Sequence, residues 1–403
     1  MKPSHLPLLA AFALPSAFAD NSDCRQSWMP TDAPAFCPFE TEPQLPEPRT
    51  YLAATLANKQ IYVAGGYQFD ASSGVVTYYD SVRRSTIGAN GRLGPWTAEP
   101  SFQNARAGAA TTRAGGCLFL AGGSSSTPTS LTYYDDVQYA RIQADGHLSA
   151  WTTSAGHLKT PRSNHSLVAI HTDQGGYLYA VAGVTQIGAD TVHLDTVEVA
   201  KLNNNCQLGP WQIANFHLKG GRSSPQALAV HKNIVVLGGW GDLDLYDVFD
   251  DVQVAMPRPD GTLKPWQSSA ARLTSGLYGH ASVFAPAPSM PNSSLLFTVG
   301  GQPGTGAYAN WINFTYLHRN EGPAGRAGPL AHHAHRQAAH RPRRAGGGGG
   351  GRPPVRHRRQ RRGGPVLPRR HLRALRRRQT LASDGRPAKR ARTTAKAWRM
   401  GDR

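Results

Sequence analysis

Asp80-Ser81-Val82, followed by Asn90-Gly91-Arg92-Leu93-Gly94-Pro95-Trp96, is a stretch that this chain writes four times with its spacing intact. Asp135-Asp136-Val137 leads to Asp145-Gly146-His147-Leu148 and Trp151, Asp195-Thr196-Val197 to Leu208 and Trp211, and Asp250-Asp251-Val252 to Asp260-Gly261-Thr262-Leu263 and Trp266. Each tryptophan stands fourteen residues after its valine and three after its leucine, and successive tryptophans lie 55, 60 and 55 residues apart. Self-similarity on that scale predicts a repeat architecture.

A second fixed element precedes each aspartate. Gln60 to Ala64, closed by Gly65-Gly66, recurs as Cys117 to Ala121 with Gly122-Gly123 and as Asn233 to Leu237 with Gly238-Gly239. It recurs again before Gly300-Gly301, and as Tyr177 to Gly183, where Ala182 replaces the first glycine. A short Val/Ile/Leu/Phe-rich run closed by two glycines predicts a strand buried on both faces, ending where the backbone needs positive φ or close approach. The Asn-Gly and Asp-Gly pairs between the valine and the tryptophan predict two-residue hairpins. One such sheet cannot bury its own faces, so the tryptophans Trp96, Trp151, Trp211 and Trp266 are expected to pack between neighbouring sheets.

The combination of a Gly-Gly strand, paired tyrosines such as Tyr78-Tyr79 and Tyr133-Tyr134, and a spaced tryptophan resembles the kelch repeat across residues 48–320. That resemblance implies an all-β fold, a kelch-type β-propeller with one four-stranded blade per repeat. Four copies are complete and a fifth stops after Asn320, so the ring is incomplete as written. An open ring exposes apolar faces and a strand edge, and the product is expected to be poorly stable.

The ends differ from the middle. Of 44 Lys and Arg against 25 Asp and Glu, the residues from Glu321 onward hold 24 basic and 3 acidic, so the repeat region is near neutral and the net charge of +19 belongs to the tail. Residues 1–19, with Lys2, the apolar run Leu6 to Leu14 and Ala17-Phe18-Ala19, read as a secretory signal peptide, placing the protein outside the cell or in a periplasm. No later segment is apolar enough to span a bilayer. Residues 20–47 form a Pro-rich segment in which Cys24 and Cys37 are the candidate disulfide, export making such bonds permissible. Its Ser27-Trp28 faintly echoes the tryptophan strand, which leaves two readings open: a strand completing the last blade, or a cap before the first. Cys117, in a buried strand, and Cys206, at a hairpin tip, are expected to be separate thiols.

Residues 321–403 are Arg-, Gly- and Pro-rich and read as a disordered basic tail, whose contacts with nucleic acid would be non-specific. Their codons permit another reading. Shifted by one nucleotide, those of Ala327 to Leu330 are compatible with Leu-Gly-Pro-Trp, which restores the wording of Gly91 to Trp96 after Gly325-Arg326. In the same frame Pro354 to Arg359 are compatible with Leu-Tyr-Val-Ile-Gly-Gly, so the tail is readable as an out-of-frame further repeat.

Candidate site residues divide into repeated and unrepeated ones. Arg49, Arg106, Arg162 and Arg222 open successive repeats, with Leu277 in that place in the fifth. They either converge on an anionic ligand at a channel mouth or pair with Asp80, Asp135, Asp195 and Asp250 as fasteners, and their repetition favours the fastener. His165 and His280 stand at matching positions where other repeats have Leu52, Ala109 and Pro225. They are candidates for acid/base or metal-ligand work, against a structural reading as hydrogen-bonded histidines. Trp240 and Tyr278 are candidates for stacking on a sugar ring, against a role as packing lids. No zinc-type Cys/His spacing, phosphate loop or nucleophile elbow occurs, and no cofactor is expected. The cysteine-tyrosine set of copper oxidases resembling galactose oxidase finds no match. Exported kelch propellers that interconvert sialic-acid anomers offer only an analogy, since none of their residues carries over. Two functions follow as expectations: a non-catalytic protein- or glycan-binding scaffold, or a sugar-active enzyme with its site at the channel mouth. The sequons at Asn164, Asn292 and Asn313 matter only in a glycosylating host.

Overall fold

The computed structural model describes residues 41–241, 248–273, 275–286, 293–303, 311–318 and 334–338. The first sheet contains β1 (Ala53–Ala57), β2 (Gln60–Ala64), β5 (Val82–Thr86) and β6 (Thr97–Glu99), with β3 (Tyr67–Asp70) and β4 (Val75–Tyr78) as a hairpin between its second and third strands. The second has β7 (Ala110–Ala114), β8 (Cys117–Ala121), the hairpin β9 (Ser124–Thr127) and β10 (Ser130–Tyr133), then β11 (Val137–Arg141) and β12 (Thr152–Thr153). The third repeats this with β13 (Ser166–Thr172), β14 (Gly175–Val181), the hairpin β15 (Val184–Ile187) and β16 (Asp190–His193), β17 (Val197–Leu202) and β18 (Gln212–Ile213). The fourth holds β19 (Gln226–Val230), β20 (Asn233–Leu237), β21 (Asp251–Ala255) and β22 (Gln267–Arg272). The fifth holds β23 (Ala281–Pro286), β24 (Ser293–Val299), β25 (Trp311–His318) and β26 (Ala334–Ala338). All five are antiparallel, and each is filled in chain order before the next begins. The outer strand β26 comes from the tail expected to be irregular, and pairs with β25 from Trp311↔Ala338 to Thr315↔Ala334.

Strand alternation explains how the sheets are held. In β8, Leu118 and Leu120 pack with Tyr62 and Ala64 of the first sheet, whereas Cys117, Phe119 and Ala121 pack with Leu178 and Ala180 of the third. In β14, Tyr177, Tyr179 and Val181 turn to Ile234 and Val236 of the fourth, and Val235 and Leu237 pack with Leu296 of the fifth. Because successive side chains point to opposite faces, the second strands β8, β14 and β20 each feed two interfaces, which is why they are apolar at nearly every position. A fully buried side chain of this size contributes about 1.5–3 kcal/mol. The indoles behave as expected in three repeats: Trp151, Trp211 and Trp266 each join the cluster between their own sheet and the one before. Trp151 donates its Nε1–H to Pro100 O at 2.8 Å and Trp266 to Phe216 O at 3.3 Å. Trp96 departs from the expectation and is only half-buried, because ahead of the first sheet it meets the Glu42-Pro43 segment, with Pro43 O accepting from its Nε1 at 2.8 Å.

Gly65 and Gly66 show why the strand must end in two glycines. Both have positive φ, +64° and +92°, and a Cβ would lie 2.7 Å from Arg106 O on Gly65 and 2.7 Å from Thr50 O on Gly66. Ala182 adopts φ +59° at the place of the first glycine, a conformation L-residues avoid. The turns before the tryptophans differ from the two-residue hairpins expected. Gly88 N–H bonds Arg92 O at 2.8 Å and Gly91 N–H bonds Gly88 O at 3.0 Å, a three-residue loop with the glycine in the left-handed region at φ +77°.

These tips latch onto the preceding sheet. Tyr62 Oη–H donates to Gly146 O at 2.6 Å and Tyr179 Oη–H to Gly261 O at 2.8 Å. Between the second and third sheets Phe119 occupies the tyrosine's place and has no hydroxyl, and there Cys117 and Cys206 form a disulfide across Cα atoms 6.2 Å apart. The two cysteines are therefore not separate thiols. Cys206 holds the tip position of Gly91, Gly146 and Gly261 with φ +63°, and Cys117 holds that of Gln60, the side chain a Cβ on Gly146 would meet at 3.0 Å. The candidate pair Cys24 and Cys37, with Trp28, lies outside the described residues.

The first strands stand side by side in the order β1, β7, β13, β19, β23 and line a common cavity of about 1080 Å³. No helix among the described residues is long and apolar enough to cross a membrane.

Two measurements test this packing. Ala182→Gly removes the left-handed cost and is expected to stabilise by about 1 kcal/mol, raising Tm by about 2–4 °C in calorimetry. Reducing Cys117–Cys206 opens a cross-link spanning 89 residues and is expected to cost about 4–5 kcal/mol on the chain-entropy model, read as a lower urea midpoint.

Candidate functional site

Of the arginines that open the repeats, only Arg49 lines the cavity. All four side chains are fully buried. Arg106 pairs with Asp136 and donates to Gly122 O at 3.1 Å and Gln103 O at 2.9 Å. Arg222 pairs with Asp251 at 2.6 Å and donates to Gly238 O at 3.1 Å. Arg162 pairs with Glu198 at 2.5 Å, Arg49 with Glu47 at 2.7 Å. Each arginine does pair with a carboxylate, but within its own repeat rather than as a tie between sheets, and not with the aspartates expected. Asp135 and Asp195 instead contact His157 at 3.1 Å and His217 at 3.4 Å, and Asp250 pairs with Arg272. The place one residue after each aspartate holds Ser81, Asp136, Thr196 and Asp251. Where it lacks a carboxylate, Glu198 or Glu47 supplies one. Where it has one, Gln138 or Gln253 donates to it, at 2.7 and 2.8 Å. The guanidinium charges are thus committed to internal pairs, and Arg106 and Arg222 are further covered by Tyr134 and Phe249 at 3.7 and 3.9 Å. An anion at the mouth would find none of these charges accessible.

The arginine backbones do the joining. Gly66 N–H donates to Arg106 O at 2.9 Å and Arg106 N–H to Tyr79 O at 3.1 Å; Gly123 and Gly183 bond Arg162 O and Arg222 O in the same way, and Gly239 bonds Leu277 O. Two residues further on, Tyr51, Gly108, Asn164, Ser224 and Gly279 all have φ between +50° and +63°. Their backbones form an arc from sheet to sheet: Gly108 N–H to Tyr51 O at 2.9 Å, Asn164 N–H to Gly108 O at 2.7 Å, Ser224 N–H to Asn164 O at 2.7 Å and Gly279 N–H to Ser224 O at 3.2 Å. This arc is the rim of the cavity.

His165 and His280 border the cavity next to the arc, yet both are buried and neither ring has a hydrogen-bond partner among the described residues. The hydrogen-bonded structural role expected for them is not what they show. Each ring lies over the first glycine of the preceding sheet: a Cβ would come within 2.8 Å of His165 Cε1 on Gly122 and 2.9 Å of His280 Cε1 on Gly238. Burial, aided by the Arg162 charge, takes His165 down to about 3, and burial takes His280 down to about 4. Both are neutral at pH 7 and cannot donate a proton as imidazolium. No group of three metal-ligating side chains occurs among the described residues.

Two aromatic residues, Tyr51 and Tyr278, line the cavity, and each is packed against further rings. Trp240, 38% exposed, lies 6.0 Å from Tyr278 at 32° and takes the His193 ring edge-on at 5.0 Å. A second group was not singled out by sequence: Tyr51, 48% exposed, stacks on Tyr67 at 5.9 Å and 12°, and Tyr67 meets Tyr78 at 5.7 Å. Burial, with Tyr51 and Tyr78 beside it, raises the Tyr67 phenol above its usual range. The position after each Gly-Gly carried the signal, since it reads Tyr67, Ser124, Val184, Trp240 and Gln302 while its surroundings stay constant. Tyr67, Ser124, Val184, Trp240 and Gln302 bridge back to Thr50, Ala107, Ser163, Ser223 and Tyr278 at the rim.

No protein-family model and no curated protein matches this chain.

A pH titration tests the histidine placement. With folded values near 3 and 4 against about 6.5 unfolded, the unfolded chain binds more protons between them, so their contribution is complete above about pH 6.5 and is lost as pH falls toward 4 and below. Replacing His165 by the leucine its counterpart Leu52 carries is expected to lessen the fall of urea-derived stability between pH 6.5 and 4, leaving the part due to His280.

Proposed function

We propose that this chain is an exported kelch-type β-propeller acting as a non-catalytic scaffold that binds glycan through the aromatic rim of its central cavity. The propeller reading is supported by five sheets filled in chain order, with the second strands of the three middle sheets buried on both faces and first strands beside one another around a cavity. Export is supported by the apolar leader in residues 1–19 and by the Cys117–Cys206 disulfide, a bond suited to an oxidising compartment.

The observation that carries the glycan reading is the partly exposed Trp240 ring beside Tyr278, which itself lines the cavity. Flat, partly exposed rings offer the C–H faces of a pyranose an apolar surface, and the neighbouring Asn164, Ser224 and Gln226 supply side chains able to bond hydroxyls. The sugar-active alternative draws on a cationic mouth for a carboxylate and on histidines able to move protons. The arginines are internally paired and the imidazoles buried and neutral, so the binding reading has the stronger support. The basic tail takes no part in this site, and its contacts with nucleic acid would be salt-sensitive and independent of sequence.

A glycan array followed by titration calorimetry tests the proposal. Trp240→Ala is expected to weaken the best glycan at least tenfold while the chain keeps its β-sheet circular dichroism. Retention of full affinity would remove Trp240 from the site, and capture of a protein with no glycan bound would favour the protein-binding form of the scaffold.

A further inference from the structure

The four interfaces between consecutive sheets have matching apolar clusters, and no described cluster joins the fifth sheet to the first. The faces that flank this break carry the same residue types as the buried interfaces. Val299, the last residue before Gly300-Gly301, is 42% exposed, whereas its counterparts Ala64, Ala121, Val181 and Leu237 are at most 2% exposed. Val283 is 54% exposed while its counterpart Val168 is 3% exposed. On the near side of the first sheet Leu56 is 62% exposed, and its counterpart Ala169 packs into the interface between the second and third sheets. The hydrogen-bond arc stops at the same place: among the described residues, Tyr51 N–H and Gly279 C=O are the ends that nothing extends.

The segment ahead of the first sheet repeats the contacts of a fourth strand leaving its sheet. Glu99, the last residue of β6, accepts from Leu148 N–H at 2.8 Å, and Pro100 O accepts from the Trp151 indole at 2.8 Å. Glu42 accepts from Leu93 N–H at 3.0 Å, and Pro43 O accepts from the Trp96 indole at 2.8 Å. Glu42 precedes Arg49 by the same seven residues that separate Glu99 from Arg106. The chain therefore presents the exit of a fourth strand next to an unpaired apolar face.

We propose that the first and fifth sheets flank a seat for one three-stranded unit of the same repeat. Its first strand would accept from Tyr51 N–H and donate to Gly279 C=O, closing the arc, and its apolar second strand would cover Val283 and Val299 on one side and Leu56 on the other. The occupant is the unit that a one-nucleotide shift after Arg326 restores, since residues 339–403 as written contain no apolar run ending in Gly-Gly.

Thiol labelling of single-cysteine additions, mapped by peptide mass, tests this seat. Val299→Cys and, as a control on the exposed hairpin strand β10, Leu131→Cys are made in the 403-residue chain and in the frame-shifted chain. Position 299 is expected to label at least tenfold more slowly in the frame-shifted chain, with position 131 unchanged. Equal rates at 299 in both folded chains overturn the proposal. Protection at 299 in the 403-residue chain that grows with its concentration also overturns it, in favour of a second copy. Should the frame-shifted chain fail to fold, a peptide of residues 163–202, the three inner strands of the third repeat, is added to the 403-residue chain. Slower labelling at 299 supports the seat and an unchanged rate rejects it.

Discussion

The interaction on which the rest depends is a backbone hydrogen bond from the second glycine of one sheet to the residue that opens the next. Gly66 to Arg106, Gly123 to Arg162, Gly183 to Arg222 and Gly239 to Leu277 are the same bond made four times. It forms only if the strand end turns through positive φ and comes close to the neighbouring carbonyl, which is why the donor is glycine every time and only the glycine before it is once replaced, by Ala182. Buried backbone groups left without partners are costly, so this bond fixes the approach of neighbouring sheets before any side chain does. The guanidinium then locks the opening residue to its own sheet, through Gly122 O and Asp136 or their equivalents. Backbone outward and side chain inward, one residue ties two sheets together.

Buried ion pairs of this kind are weak contributors to net stability, since desolvating two charges offsets much of their attraction. Arg162 shows the offset directly: burial pushes its guanidinium down and Glu198 opposes that shift. Their worth lies more in geometry. A guanidinium that must satisfy two carbonyls and a carboxylate accepts few arrangements, whereas apolar faces alone tolerate sliding. The carboxylate moves between Asp136, Glu198, Asp251 and Glu47 along the sequence, but it meets the arginine in every case. What repeats is the pairing, not the position of the acid.

That distinction explains how much was legible. The Gly-Gly strands and tryptophans could be read because steric need permits few substitutes, and both faces of the second strand had to be apolar. The arginine partners were misplaced because the strictly repeated aspartates attract attention, while the true partners alternate with Ser81 and Thr196. The Cys117–Cys206 bond was hidden by sequence distance. It becomes readable only when Phe119 is recognised as a tyrosine site without its hydroxyl and Cys206 as a tip glycine replaced, so that the bond substitutes for a lost latch. The histidines were legible as unusual but not as buried, since a ring resting over a glycine leaves no trace in the spacing.

The same division separates structure from recognition on this molecule. Most positions that recur in each repeat are consumed by the joints between sheets, and the arginines among them are buried beyond reach of a ligand. The position following each Gly-Gly is held by the same backbone bridge every time, yet its side chain differs from repeat to repeat. Tyr67 and Trp240 occupy it in two repeats and Ser124 and Val184 in two others. A constant backbone beneath a variable side chain lets chemistry change at the mouth without disturbing the joint, and the aromatic character of the rim follows from which repeats carry the rings.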